Sequence, residues 1–588
     1  NQALLLEEAT LLCKQSALQA KDHHLQEEIY KSHYLLGRVF AFQGNSFKAA
    51  KHYLAAIIQI ERILKTLAFD LSPSFLHSAW AVYEAMVVHC LQQSQTERAF
   101  SYLERARSVA LSQYLRQASS QYDKQSEQGE LDAHPELQAN RTMALRIQYE
   151  LREWQEKYHS YSALLTNIEP SISPLVRQEI IEAEIKHCET KISELFELYH
   201  LYQTQAAIPL SVRTKKTRAD KIEPVEIPQL QQELTSDQLL LAYFLQKGEL
   251  IIFAVTKEQF TVYEHPGGAK QLERLLPFLY AYLQPQGWAS IEHPPQEGIR
   301  GLLKKLYDLL IAPIEAFLPP PEGHITIVPY GPLHKLPFHA LYNERNFLIE
   351  NFQISYLPAS NLFRHFSTHK DAAFAFPSTK KSVIFGFSGH GHLHRCIDEA
   401  KTLAELLQGS CFIEQEATIA ELIKQAPGSP LVHIATHGHA RLDAPNFSSV
   451  RLADGYLNAI DAFSLDLRNC QLVTLSGCET GLSLSGGGDE QPGLGRAFLA
   501  AGARSMVISL WPVEDETTNT LMQAFYQNLL RGESKMQALR TAQRSLLHSG
   551  SPAYSHPYFW AAFRLVGDPG PLIFKQRASQ AAKSLPQK

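Results

Sequence analysis

The 588-residue chain is short of cysteine: Cys13, Cys90, Cys188, Cys396, Cys411, Cys470 and Cys478 are odd in number, scattered and never in Cys-x-x-Cys spacing. That spacing excludes a disulfide framework and supplies no zinc motif. Long hydrophobic runs are absent too. No apolar stretch approaches the ~20 residues that cross a bilayer, and the start at Asn1 has no charged segment leading into an apolar one of the kind that directs secretion. A cytoplasmic chain is therefore expected. Neither sign of charge dominates: 55 Lys and Arg stand against 60 Asp and Glu, a net charge of −5. A dedicated nucleic-acid binder carries a basic field, so direct binding to nucleic acid is not expected. An initiator methionine is lacking as well, and the chain is expected to begin partway through a longer gene product. What the sequence does have is apolar mass, 45% hydrophobic and 10% aromatic. That is enough for large cores, and about four units at ~150 residues each.

Residues 1 to about 115 carry apolar positions at spacings of three and four with little proline, which predicts helices. Within 30–61, Leu36, Gly37, Phe40, Ala49, Tyr53 and Ala56 alternate small and large in the manner of a tetratricopeptide repeat, where two antiparallel helices approach closely. Met86, Cys90, Ala99, Leu103 and Ala106 repeat the offsets 50 residues on. The division expected is 1–115 for these repeats and 116–205 for a long helical hairpin, after a Gln-, Ser- and Asp-rich break over 116–140 and with Pro170 and Pro174 at its turn. A linker follows over 206–232, whose basic cluster (Arg213, Lys215, Lys216, Arg218) is a candidate for self-cleavage.

From Leu239 the period changes. Residues 239–265 read as a strand meander turning at Lys247-Gly248 and Lys257-Glu258. Helices are expected at 269–283 and 296–317, then a strand leading into a Pro-rich loop over 324–342, and another strand at 352–357. Beyond 381, apolar runs at 382–387, 410–414, 431–436, 470–476 and 504–510 alternate with helical stretches at 397–408, 418–426 and 493–501. Such alternation predicts a mostly parallel sheet covered by helices.

Two of these strands run into reactive side chains: 431–436 into His437-Gly438, and 470–476 into Gly477-Cys478. Neighbouring strands lie ~4.8 Å apart, and in open α/β sheets the functional crevice lies beyond their carboxyl ends. A Cys–His dyad is the natural product. The imidazole draws the thiol proton, and the backbone N–H groups of Gly438 and Cys478 hold a developing oxyanion. His433, inside its strand, reads as a core histidine, and the pair His437 and His439 lacks a third ligand, so no metal and no cofactor are expected. The run 386–391 departs from a nucleophile elbow, because His390 stands where the closing glycine belongs. His390, His392 and His394 are read as pocket wall.

The segments LVHIATHGHA, LVTLSGCETG, GLGRAFLAAGARSMVISLWPVEDETTNTLMQAFYQNLLRGESKMQALRTAQ and HPYFWAAFRLVGDP together resemble a CHAT domain, over about 235–575. The resemblance implies a caspase- and separase-like cysteine peptidase fold with His437 as general acid/base and Cys478 as nucleophile. It also implies two α/β lobes, a non-catalytic one over 233–375 and a catalytic one over 376–575, with a tail at 576–588. The Ser-Gly before Cys478 differs from the caspase signature, so aspartate specificity does not follow. Asp489, Glu490 and Asp515 would form an acidic rim favouring a basic residue before the cut, although the acids near 515 would equally suit a helix N-terminus starting near 517. The expected protein is a repeat-regulated cysteine endopeptidase acting on a protein substrate, with a regulatory protein bound by the repeats. The alternatives are a non-catalytic scaffold and an effector in a defence complex.

Overall fold

The computed structural model describes residues 2–23, 25–66, 73–107, 135–166, 174–206, 226–285, 294–368, 380–389, 394–439, 441, 445–477, 493–512 and 514–573. The Gln-rich break up to 134, the turn at Pro170 and the basic cluster at 213–218 lie outside these residues.

Five helices open the chain: α1 (Gln2–Asp22), α2 (Gln26–Phe42), α3 (Ser46–Thr66), α4 (Pro73–Gln92) and α5 over 96–107. The small-and-large alternation works as expected. A β-carbon on Gly37 of α2 would overlap the ring of Tyr53 on α3, so only glycine admits this crossing. Ala49, Ala56, Met86, Cys90, Ala99, Leu103 and Ala106 are all buried. The helical hairpin then appears as α6 (Pro135–Thr166) and α7 (Pro174–Ala206), packed along each other.

Past a short helix α8 (Ile227–Glu233), whose Ile227 and Leu230 are buried, the meander forms as β1 (Gln238–Gln246), β2 (Glu249–Val255) and β3 (Phe260–His265). Helix α9 (Gly268–Tyr282) follows, then α10 (Gln296–Leu310). The single helix expected over 296–317 is broken: residues Ala312–Phe317 are a 3-10 turn, because Pro313 offers no N–H to continue the α-helical ladder. Then come β4 (His324–Val328), α11 (Leu348–Asn351), β5 (Gln353–Tyr356) and α12 (Asn361–Thr368). The second half contributes β6 (Val383–Gly386), α13 (His394–Leu407), β7 (Ser410–Ile413), α14 (Ile419–Gln425), β8 (Leu431–Ala435), β9 (Gly438–His439), β10 (Ser449–Leu452), β11 (Gly455–Asn458), α15 (Ala459–Phe463), β12 (Leu472–Ser476), α16 (Leu494–Ala500) and β13 (Ser505–Ser509). It closes with α17 (Asp515–Leu530), α18 (Lys535–Leu547), α19 (Pro557–Trp560) and β14 (Phe563–Gly567).

Eleven strands form one sheet in the order β3-β2-β1-β4-β5-β14-β13-β12-β8-β6-β7. It is mostly parallel. Only the β1–β2–β3 meander and the β13–β14 pair run antiparallel. The central strands β8, β12 and β13 are buried along their whole length, as their unbroken apolar runs require. β14 joins the two halves, pairing with β13 on one side and with β5 on the other. β9, β10 and β11 form a separate three-stranded sheet.

The helical region is bound into this body at two places. One core runs from α2–α5 into the first half of the sheet, where the Phe100 ring meets Phe253 and Phe260 at 5.5 and 5.9 Å. Within it Arg107, paired with Glu104 at 2.8 Å, donates to the carbonyls of Tyr243 and Pro329, while the Ser360 amide donates to Glu104. Both side chains are buried, so their charges are satisfied by the sheet domain itself. The α6–α7 hairpin docks on the small sheet instead. Tyr158 stacks near Phe447, Phe196 near Phe463, the Tyr456 amide donates to His159, and Arg441 pairs with Glu189 at 2.7 Å.

Candidate active site

β8 and β12 are parallel neighbours in register from Leu431↔Leu472 to Ala435↔Ser476. The ladder ends where the Thr436 amide donates to the Ser476 carbonyl at 3.2 Å, so residues 437 and 477 leave the sheet side by side. Gly477 is pressed against that neighbour. A β-carbon there would stand under 3.0 Å from the Thr436 carbonyl oxygen and 3.3 Å from the Gly438 amide nitrogen. The carbonyl of Gly477 in turn accepts a hydrogen bond from the buried Ser509 hydroxyl at the end of β13. Cys478 lies outside the described residues; Gly477, which precedes it in the sequence, is fixed beside Thr436–Gly438.

His437 is half-buried, and its carbonyl accepts from the Arg451 amide at 2.9 Å. Gly438 and His439 continue as β9, paired with Val450 and Ser449. The histidine backbone thus belongs at once to the end of the central sheet and to the small sheet under α6–α7. Against its ring lies Gly389, in the loop after β6, with φ +63°: a β-carbon there would meet the imidazole at 2.7 Å. The loop expected to be pocket wall does approach His437, although His390 and His392 are outside the described residues, as are Asp489 and Glu490.

His433 is a core histidine, as expected. It is fully buried and bonds Tyr526 through Nδ1 at 3.0 Å and Glu399 through Nε2 at 2.8 Å, so both ring nitrogens are taken. Glu514 caps α17, accepting from the Thr517 amide at 2.9 Å, which is the helix-terminus role the sequence offered for the acids near 515. Asp515 begins that helix, which packs against α13. Burial raises all six described cysteines above the ordinary thiol range, Cys470 to about 12 and Cys90 to about 11. None of the six is an activated thiol.

Sequence reasoning passed over Ser509, Gly389 and Arg451. A signal for the last existed: Asp454-Gly455 between alternating residues marks the β10–β11 hairpin that carries it.

The chain is a helical array followed by an α/β domain with a mostly parallel central sheet, whose adjacent strands β8 and β12 end at His437 and at Gly477. Residues 300–568, a little under half of the chain, match the CHAT domain model. The chain is 27% identical over 343 residues to tetratricopeptide repeat protein 28 of Homo sapiens and 28% over 342 residues to that of Mus musculus. The match takes in 48% of this chain, which spans only 13% and 14% of the length of those relatives. Among solved structures it is similar to the Saccharomyces cerevisiae separase–securin complex (11% identity, TM-score 0.39, 92% of this chain and 50% of that one). It is also similar to the Arg-specific cysteine proteinase gingipain R (13% identity, TM-score 0.31, 52% and 76%). Among the described residues no helix is long and apolar enough to cross a membrane.

Proposed function

We propose that this chain is a cysteine endopeptidase in which Cys478 is the nucleophile and His437 the general acid/base, acting on a protein substrate under the control of a protein bound by the helical region. The observation that supports the reading is the packing of Gly477, the residue before Cys478, on Thr436–Gly438 at the end of the neighbouring strand that leads to His437. The Cys478 thiol gives its proton to His437, and the thiolate adds to the scissile carbonyl. The Gly438 and Cys478 amides receive the oxyanion. Collapse of the adduct expels the amine, which takes the proton from His437 and leaves a thioester that water hydrolyses with His437 as base. Asp515, Asp489, Glu490 and His390 are proposed to face the substrate from the surrounding loops.

Regulation is supported by the docking of α6–α7 on the small sheet. Arg441–Glu189 and Tyr158–Phe447 tie the helical hairpin to the segment that begins at His437, so displacement of the hairpin acts on the histidine. The test compares new protein N-termini in a cell lysate treated with the intact protein or with Cys478→Ala. Ends that depend on Cys478 are expected. Unchanged N-termini and unchanged biological output with a folded Cys478→Ala variant would favour the non-catalytic scaffold, and strong turnover by the protein alone would exclude partner control.

A further inference from the structure

The β10–β11 hairpin holds a cation at the mouth of this site that none of the chemistry above uses. Arg451 lies on β10 with its flanking residues Val450 and Leu452 buried in the core beneath, so its side chain emerges on the opposite face, toward the loop after β6. The guanidinium stands over two aromatic rings, 5.8 Å from the centroid of Phe387 and 5.9 Å from that of Tyr456, its cross-strand partner. These rings hold the planar group in one place without neutralising it. No carboxylate among the described residues pairs with Arg451, and its guanidinium donates no hydrogen bond to a described residue; its backbone amide and carbonyl bond His437 and Thr436. Its separation from the reacting centre is short. A β-carbon on Gly389 would stand 3.0 Å from His437 Nε2 and 4.0 Å from Arg451 Nη1. A half-buried guanidinium with no counter-ion among the described residues, beside the His437 imidazole, is suited to receive a planar anion in a two-pronged hydrogen bond.

We infer that Arg451 is a specificity-determining residue that binds the carboxylate of an acidic side chain immediately before the scissile bond. This rests on the peptidase reading. It sets the charge preference opposite to the one an acidic rim would set, because the rim residues Asp489 and Glu490 would have to outweigh a cation already fixed beside His437.

The test uses three irreversible peptidyl acyloxymethyl ketones that differ only in the residue before the warhead: Glu, Gln or Lys. Attack by the Cys478 thiolate forms a thioether and releases the carboxylate, and because labelling accumulates over hours a weakly active site suffices. Rates are read by mass spectrometry on the full chain, with Cys478→Ala as the blank. Glu is expected to label about tenfold to a hundredfold faster than Gln, with Lys slowest. Arg451→Gln removes the Glu preference, and Arg451→Glu shifts preference toward Lys, a gain that a merely misfolded variant does not show. Thermal melting confirms that both variants are folded. Equal labelling by all three probes, or a Lys preference in the intact protein, overturns the role of Arg451 while leaving the peptidase standing. Labelling by none overturns the peptidase reading and this inference with it.

Discussion

Gly477→Ala is the sharpest test of the geometry at the ends of β8 and β12. The φ of Gly477 is not in the left-handed region, so the cost of a side chain there is steric. The added carbon would face the Thr436 carbonyl oxygen at under 3.0 Å, where ordinary contact begins at 3.4 Å. Relief has to come from backbone, since both partners are main chain. Moving residue 477 away pulls on the Ser509 hydrogen bond to its carbonyl, and moving residue 436 away pulls on the 3.2 Å bond from the Thr436 amide to Ser476. Overpacking of this kind costs about 1–3 kcal/mol, and each hydrogen bond lost adds about 1 kcal/mol net, so a loss of about 2–4 kcal/mol is expected. Gly495→Ala is the matched control. That glycine lies in α16, and its added carbon would meet only Ile508, at 3.8 Å, so the change is expected to be neutral or to stabilise by up to about 1 kcal/mol through helix propensity. Urea denaturation of the two variants, with hydrogen exchange at the Thr436 amide, measures the difference. Equal stability of the two variants and unaltered exchange at Thr436 would refute the claim that Gly477 is packed against the strand that leads to His437.

Arg107→Ala would leave the Glu104 carboxylate buried against the sheet domain, and a loss of about 3–5 kcal/mol is expected; limited proteolysis should then release the helical array, and an unchanged digestion pattern would contradict its role as a tie. Acid should also destabilise the first half of the sheet domain. Burial pushes His324 and His339 down to about 4, below the 6.5 of a free imidazole, so both fold as neutral rings. Their contribution is complete above pH 6.5 and is lost as pH falls toward 4, up to about 3 kcal/mol each. A His324→Gln variant, whose amide reaches the position of Nε2 and can retain a hydrogen bond to Ser355, is expected to show a shallower acid transition in a pH series of melting curves, and an unchanged slope would refute the assignment.

The parts of the fold legible in the sequence are those in which local pattern and burial agree. β8, β12 and β13 are continuous apolar runs because both faces of the sheet are covered, and Gly37 and Tyr53 announced a helix crossing because one small residue answers one large one. β14 was not legible as a strand. Its Phe563–Gly567 run contains Arg564, which reads as solvent-facing, yet the guanidinium is buried over the Tyr356 ring and donates to the His334 carbonyl, partners more than 200 residues away. The same holds at the site. His437 was visible at a strand end and Glu514 near a helix start, but the position of Arg451 beside His437 depends on a hairpin folding back over the loop that follows a different strand. Non-local hydrogen bonding and cation–ring packing leave little trace in short-range periodicity.

The place of β14 in the middle of the sheet has a consequence for biosynthesis. Its residues 563–567 emerge from the ribosome after every other described strand, yet they lie between β5 and β13. Until then β5 and β13 each present an unpaired edge, two open templates held on one nascent chain. A premature stop between α19 and residue 563 would therefore leave a protein with every other described strand and helix made but with two sticky borders in its interior. Such a product is a candidate for strand exchange with its neighbours rather than a shortened, working version of the molecule.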